Sequence, residues 1–574
     1  MKKISKILPF IIALLFIFAA CNNNYIDGIT HVDPGTDETA PVVTINRPFE
    51  GLSIKVPDVV ASIEIKFEVT DDIEIATVVV LLDGLEIASF SDFIDYRKFI
   101  MEDLVYNNVT TGSHILTVKA TDLDGKTTEN SVNFVKEPPY LPKYDGEIFY
   151  MPFDGDYTEL VSVTPATEVG SPGFTNDAVI GASAYMGATD SYLTFPTDGL
   201  LTTNEFSAAF WYKVNANPDR AGLLIIGDNA DDRKHGLRFF REGSADEQKF
   251  KLNIGIGDGD SWNKGGVINV SDNKWVFITI SISETESKVY FDGILQNTST
   301  LNKPVDWTGC DFITIGSGGE TFNYWNHNSD ASPMDELRLF NKALTAADIS
   351  LLMNEANESL YMPFNGNFKN LVNGTEADVI GSPGFTTGKD GQAYAGAIDS
   401  YLTLPTEGLL SDEISATMWY KVNNDPDRAG ILVIGPKDEN KPDAMNNRKN
   451  GFRLFRENGD DGKQRIKLNV GRGDNDTWVD GKAAADIDPT SNEWVFLAFS
   501  IASDKASLYF NGELIKESSL DGGIDWTGCD ILSIMSGAPR FIGWNHLSDL
   551  SLIDELKLYN KALTQEEIQQ LMGN

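Results

Sequence analysis

Cysteine and positive charge are scarce in this chain, and so are long apolar runs. Only three of the 574 residues are cysteine, and two of them, Cys310 and Cys529, sit in the same stretch, DWTGCD, written twice. Each repeat therefore carries one thiol. That excludes a bridge within a repeat and leaves buried, inert thiols as the expectation. Lysine and arginine total 46 against 85 aspartates and glutamates, a formal charge of −39. Phosphate binding needs clustered Lys and Arg to displace counterions, so nucleic acid is excluded as a partner. The acid surplus serves solubility and would equally supply oxygen ligands to Ca²⁺. The apolar run from Ile7 to Ala20 is too short for a stable membrane span. Catalytic motifs are missing too: there is no HExxH, no G-x-S-x-G and no phosphate loop. Nor is there an E-x-D-x-x-E strand to aim two carboxyls at a glycosidic bond. Adjacent acids, as in MDELRLF and IDELKLY, point to opposite faces of a regular strand. A carboxylate pair assembled from distant loops stays open.

At the N-terminus, Lys2, Lys3 and Lys6 precede the apolar run, which suits an export signal. Phe18-Ala19-Ala20-Cys21 resembles the lipobox of bacterial lipoproteins, with Phe where Leu is the commoner residue. The resemblance implies a signal peptide over residues 1–20, lipidation of Cys21 and anchoring at a membrane. The polar stretch over residues 21–37 reads as a flexible tether.

Residues 38–137 carry the period of half-buried strands: Ile63, Ile65, Phe67 and Val69 alternate with Glu64, Lys66 and Glu68. Asp83-Gly84 and Asp124-Gly125 read as hairpin turns. This part resembles a bacterial immunoglobulin-like sandwich, a fold that serves as a spacer. Asp71, Asp72 and Asp122 read as turn acids.

The rest of the chain is one domain written twice, over residues 138–356 and 357–574. YMPFDGDYTELV answers YMPFNGNFKNLV, ATDSYLTFPTDGLL answers AIDSYLTLPTEGLL, and MDELRLFNKALTAADI answers IDELKLYNKALTQEEI. Solenoid repeats run at about 20–50 residues, so a period this long signals a duplicated domain. Strand-like runs fill both copies, and only ALTAADISLLMNEA and ALTQEEIQQLMGN look helical, each opened by a Thr with acids in the first turn. The expected fold is all-β: an immunoglobulin-like sandwich followed by two jelly-roll sandwiches. The order FDG, DSYLTFP, FWYKV, KWVF, YFDG, DELRLFNKALT resembles the laminin-G-like, concanavalin A-like lectin family.

All ten tryptophans fall in the two copies, at matching positions. Trp211, Trp275, Trp419 and Trp494 belong to strands and read as core. Trp262, Trp307 and Trp325, with Trp478, Trp526 and Trp544, sit among Asp, Asn, Gly, Ser and Thr, which is loop chemistry. A large aromatic on a polar loop offers a pyranose its flat apolar face beside hydrogen-bonding groups. In WNHNSD and WNHLSD, Asn326, His327 and Asp330, with Asn545, His546 and Asp549, would supply that rim. Arg238, Arg241, Arg453 and Arg456 would add forked donors for hydroxyls, carboxylates or sulfates, with Arg220 and Arg428 as weaker candidates. The bland alternative is loop packing, since a duplicated domain repeats its core as faithfully as its sites.

In the laminin-G-like family a structural Ca²⁺ often joins the first strand to the last. The resemblance implies Asp154 and Asp335 as ligands in the first copy and Asn365 and Asp554 in the second, where Asn365 would bind more weakly. Lipidated tether, spacer and two lectin-like sandwiches together resemble the surface glycan-binding lipoproteins of Bacteroidota polysaccharide-uptake systems. That implies noncatalytic capture of a polysaccharide or oligosaccharide at the exterior of the outer membrane, beside outer-membrane uptake proteins. The rival readings are an adhesion or structural protein with a protein partner and, less favoured, a carbohydrate-active hydrolase or lyase.

Overall fold

The computed structural model describes residues 35–228 and 232–573. The export signal, Cys21 and most of the tether lie outside the described residues. Among the described residues, no helix is long and apolar enough to cross a membrane.

The unit ending at Tyr140 is a two-sheet β-sandwich. Val42–Arg47, Ala61–Thr70 and Lys98–Val109 form one sheet; Leu52–Ile54, Thr127–Lys136, Gly112–Asp122, Ile75–Leu82 and Leu85–Phe90 form the other. Ile63, Ile65, Phe67 and Val69 are buried between the sheets, as the alternation requires. At the Asp83-Gly84 turn both residues are left-handed, with φ 52° and 80°, the conformation that closes a two-residue hairpin. Asp71 accepts the amides of Ile73 and Glu74, and Asp122 that of Lys126.

The unit from Leu141 onward contains both copies, each a sandwich of two antiparallel sheets. In the first copy one sheet runs Gly173–Thr175, Ala184–Met186, Pro333–Phe340, Phe206–Tyr212, Val276–Ile282, Glu286–Phe291, Ile294–Thr300, with the opening strand Glu147–Met151 on the closing strand Pro333–Phe340. The other runs Thr167–Val169, Tyr192–Pro196, Phe312–Ile315, Arg220–Ile226, Leu237–Gly243, Glu247–Gly255, Asp260–Asn263. Phe210, Phe239, Leu252 and Ile278 fill the space between them. The second copy repeats this order around its own core.

Two helices, Ala346–Glu355 and Gln565–Met572, follow the closing strands, each opened by a capping box, Thr345 with Asp348 and Thr564 with Glu567. They cover the outer face of the first sheet, where Leu344, Ile349 and Leu352 meet Phe277, and Leu563 and Ile568 meet Phe496. Trp211 and Trp419 pack there, half-buried on the outside of the sandwich and not in its core. Trp275 and Trp494 are half-buried as well, and the Trp275 indole N–H donates to Asp177. The expectation that these four fill the core is thus corrected: they face away from it. Cys310 and Cys529 are free and buried, and burial pushes both thiols up to about 12.

Candidate functional site

The site grows from strand alternation in the second sheet. Along Leu237–Gly243, Leu237 and Phe239 point into the core, so Arg238, Phe240 and Glu242 point outward. Phe240 meets Phe322 at 5.0 Å and His327 at 4.5 Å between ring centroids. His327 stacks on Phe322, 4.9 Å apart and 22° from parallel. These rings come from the loop between the strands Phe312–Ile315 and Pro333–Phe340. The loop turns so tightly that a Cβ on Gly318 would lie 2.0 Å from the His327 carbonyl oxygen, a position open only to glycine.

On this buried floor stand two exposed indoles. Trp262, paired across the sheet with Asn253, packs edge-on against Phe240; Trp325 packs edge-on against Phe322. They are 41% and 41% exposed, and their counterparts Trp478 and Trp544 are 38% and 46% exposed. The second copy repeats the floor with Phe455, Phe541 and His546.

A residue pair that the sequence reading passed over joins the indoles. The Arg233 guanidinium lies over both rings, 5.7 Å from the centre of Trp262 and 5.2 Å from that of Trp325. Arg448 does the same over Trp478 and Trp544, at 5.4 Å from each. Asp260 holds Arg233 Nε at 2.8 Å, and Asp476 stands 3.7 Å from Arg448 Nε. Burial acts to raise the Asp260 pKa, but its bonds from Arg233 and Asn253 outweigh this and keep it below the usual carboxylate value. The signal was in the sequence: RKHGLRFFRE and RKNGFRLFRE repeat the arginine at the same distance from the strand.

Most polar residues expected at the rim are interior instead. Arg241 and Asp330 are fully buried and ion-paired at 2.7 Å, with the Tyr212 hydroxyl donating to Asp330 at 2.6 Å. Arg456 and Asp549 repeat the pair at 2.8 Å. Burial alone would lower the Arg241 pKa; the facing Asp330 carboxylate raises it above its usual value. Arg238 and Arg453, also fully buried, donate to backbone carbonyls of His235 and Asp232, and of Asn450 and Asn447, which ties down the loops that carry Arg233 and Arg448. His327 and His546 are 2% and 1% exposed. Burial lowers the His327 pKa to about 4, so at neutral pH its ring is an uncharged flat wall. Trp307 and Trp526 pack against the cores and donate to the Thr203 and Ser411 carbonyls; they pin loops. Asn326 and Asn545 remain at the surface, left-handed at φ 60° and 62°, beside the exposed indoles. Arg220 and Arg428 lie near Glu242 and Glu457, at 3.7 and 3.9 Å.

The two copies differ around the common indoles. Tyr324, 76% exposed, stands edge-on to Trp325 at 5.2 Å, and Gly543 takes its place in the second copy. There a longer loop brings Ala444 and Asn446 to within about a methyl group's reach of Gly543. Asp228, Asp232 and His235 gather their ligand-type atoms within 4.8 Å of one another, whereas the second copy has Pro436 and Asn450 at two of these positions.

The expected calcium ligands lie together in the first copy. Asp335 Oδ2 accepts the amides of Val179 and Ile180, while its Oδ1 is buried without a partner. Asp154 accepts the amides of Ala182 and Ser183 from the same loop. Burial, with a smaller contribution from Asp154, pushes the Asp335 pKa up to about 7. A buried carboxylate oxygen lacking a partner, next to a second carboxylate, fits a hard cation. In the second copy Asp554 accepts from Lys389, Asp390 and Glu555, and Asn365 from Gln392, a set already satisfied by amides. The adjacent Glu336 and Glu555 are left-handed, at φ 56° and 49°. A bulge there breaks the alternation expected to set the two acids on opposite faces, and Asp335 lies close enough to raise the proton affinity of Glu336. Both acids are buried.

The profile of the concanavalin A-like lectin/glucanases superfamily matches residues 187–350 and 366–569. The chain belongs to that superfamily, with two domains of it in tandem. Among solved structures, it is similar to domain 4 of AbnA, a GH43 extracellular arabinanase from Geobacillus stearothermophilus solved with arabinotriose, at 20% identity over 38% of this chain and 98% of that one, TM-score 0.30. Domains LG4-5 of the mouse laminin alpha1 chain align at 11% identity over 69% and 93%, TM-score 0.23. The binding domain of botulinum neurotoxin serotype C1 aligns at 14% identity over 72% and 99%, TM-score 0.29. Likenesses this distant carry nothing about ligands. No curated protein matches the chain.

Proposed function

We propose that each sandwich is a noncatalytic carbohydrate-binding module and that the chain captures an extracellular polysaccharide or oligosaccharide at a cell surface. The observation that carries this reading is the exposed pair of indoles on the outward face of the second sheet, repeated in both copies. Indoles left partly in water give up apolar burial, and together they offer a sugar ring a platform with Asn326 or Asn545 beside it. A lipid anchor at Cys21 would display the modules on the outer membrane, facing the exterior and beside uptake-system proteins, with the N-terminal sandwich as spacer. Ca²⁺ at Asp154 and Asp335 would brace the first copy without touching the indole surface.

The test is affinity electrophoresis of the full chain through gels containing single polysaccharides. A retarding polysaccharide is expected. Trp262→Ala with Trp325→Ala should weaken retardation, and adding Trp478→Ala with Trp544→Ala should abolish it, each pair contributing on the order of 1–3 kcal/mol. Two linked sites act on a long chain through high effective concentration, so the loss of one should show as lost avidity. Unchanged retardation in the fourfold variant would sink the reading.

A further inference from the structure

Resting on the carbohydrate reading just given, we propose that the group recognised at each indole pair is an anionic substituent, a uronic acid carboxylate or a sulfate ester, gripped by Arg233 in the first copy and Arg448 in the second. Arg233 has its Nε held by Asp260 and its guanidinium lying over two rings. Its two terminal nitrogens make no hydrogen bond among the described residues, and its side chain is 35% exposed. Arg448 is placed alike over its two rings, 34% exposed. A guanidinium fixed at Nε presents its remaining N–H edge as a planar fork, the geometry that matches a carboxylate or sulfate with two parallel bonds. Ring contact also removes part of its water, which lowers the cost of closing that fork on an anion.

Each fork stands among charges of both signs. In the first copy Arg220 and Lys251 flank Glu242, while Arg233 faces Asp260 and has Asp228 and Asp232 on the loop before it. In the second copy Arg428, Lys467 and Arg448 face Glu457, Asp476 and Asp480, with Pro436 and Asn447 where the first copy has Asp228 and Asp232, so the count of charges ranks neither copy above the other. The overall acidity repels polyanions only over a range that salt cuts to about 8 Å at physiological strength. Selection therefore falls to the fork at contact distance.

The experiment compares ligands that differ only in the charged group, using the full chain in calorimetry and affinity electrophoresis. Polygalacturonate is set against the same polymer with its carboxyls reduced to alcohols, and dextran sulfate against dextran. One charged member should bind at least about tenfold more tightly than its neutral parent, the scale of a charge-assisted bond; which one does so separates carboxylate from sulfate. Arg233→Gln with Arg448→Gln should erase that preference while leaving weak binding on the indoles, and Arg→Lys at both positions should restore part of it. Melting temperature should be unchanged in both double variants, since these side chains are partly exposed. Equal affinity for charged and neutral members, with binding still lost in the Trp variants, overturns the anionic proposal and leaves the carbohydrate reading intact. An undiminished preference in the Gln variants overturns the role of the two arginines. Binding to none of the four polymers overturns the proposal, and the Trp variants tested on other glycans then decide the reading beneath it.

Discussion

Asp330→Ala separates a structural role for the Arg241–Asp330 pair from a ligand-binding one. Asp330 receives Arg241 Nη2 at 2.7 Å, the Tyr212 hydroxyl at 2.6 Å and the Ser332 amide and hydroxyl at 3.1 and 2.7 Å. Arg241 has no access to water. Removing the carboxylate leaves an uncompensated buried cation, a change that costs about 3–5 kcal/mol. Each kcal/mol moves the melting temperature of a domain this size by about 2–4 °C, so the first copy should melt some 6–20 °C lower. Replacing the whole pair, Arg241→Met with Asp330→Leu, should cost less than Asp330→Ala alone, because no charge is then stranded. Scanning calorimetry of the full chain reads both. With several domains the trace is not two-state, so the shifted transition is assigned by making Asp549→Ala in the second copy, which should move a different one. If Asp330→Ala instead lost carbohydrate binding at an unchanged melting temperature, Asp330 would belong to the ligand surface and its placement in the interior would be refuted.

Calcium should raise the melting temperature of the first copy and EDTA lower it. A ligand that binds only the folded state at a hundredfold excess over its Kd contributes about 2.7 kcal/mol; Asp335→Ala should abolish the response, and identical traces with and without the ion would count against the site. His327 gives a pH prediction. Its folded pKa of about 4 lies below the ordinary value near 6.5, so the neutral ring's contribution is fully present above about pH 6.5 and is lost as pH falls through 4, amounting to at most about 3 kcal/mol. His327→Phe should flatten that part of the acid-unfolding curve, and an unaltered curve would contradict it. Cys21→Ser should shift the protein from the membrane to the soluble fraction, since among the described residues no helix is long and apolar enough to cross a membrane; failure of a labelled fatty acid to mark the wild type would rule the anchor out.

The fold was legible because packing imposes periods that survive in one dimension. The alternation of Ile63 to Val69 and the Thr-led helices at the ends of both copies stand where local sequence puts them. The polar residues were harder, since a buried ion pair and a binding pair use the same side chains. Even so, strand period held the answer for one of them. Arg241 is in phase with Leu237 and Phe239, so it shares their inward face. Its partner Asp330 lies 89 residues further on, a distance no local pattern spans. Trp307 was misread for a similar reason: the Thr203 carbonyl that receives its indole N–H is 104 residues away. Its counterpart Trp526 reaches across 115 residues to Ser411.

Duplication itself distinguishes the two kinds of repeated residue once exposure is known. Interior residues such as Arg241 and Arg456 recur because the same sandwich must be packed twice, and their recurrence says nothing about a ligand. The indoles of Trp262, Trp325, Trp478 and Trp544 are all more than a third exposed, so packing alone asks less of them. Their arginines are partly exposed too, on loops whose lengths differ between the copies. The loop that carries Arg448 is longer and shields Gly543, whereas the first copy projects Tyr324 into water at the same place. The guanidinium over two indoles is thus kept while the wall beside it is rebuilt. If the proposal holds, a shared anchor with unlike walls would let the two modules take the same chemical group with different neighbours around it.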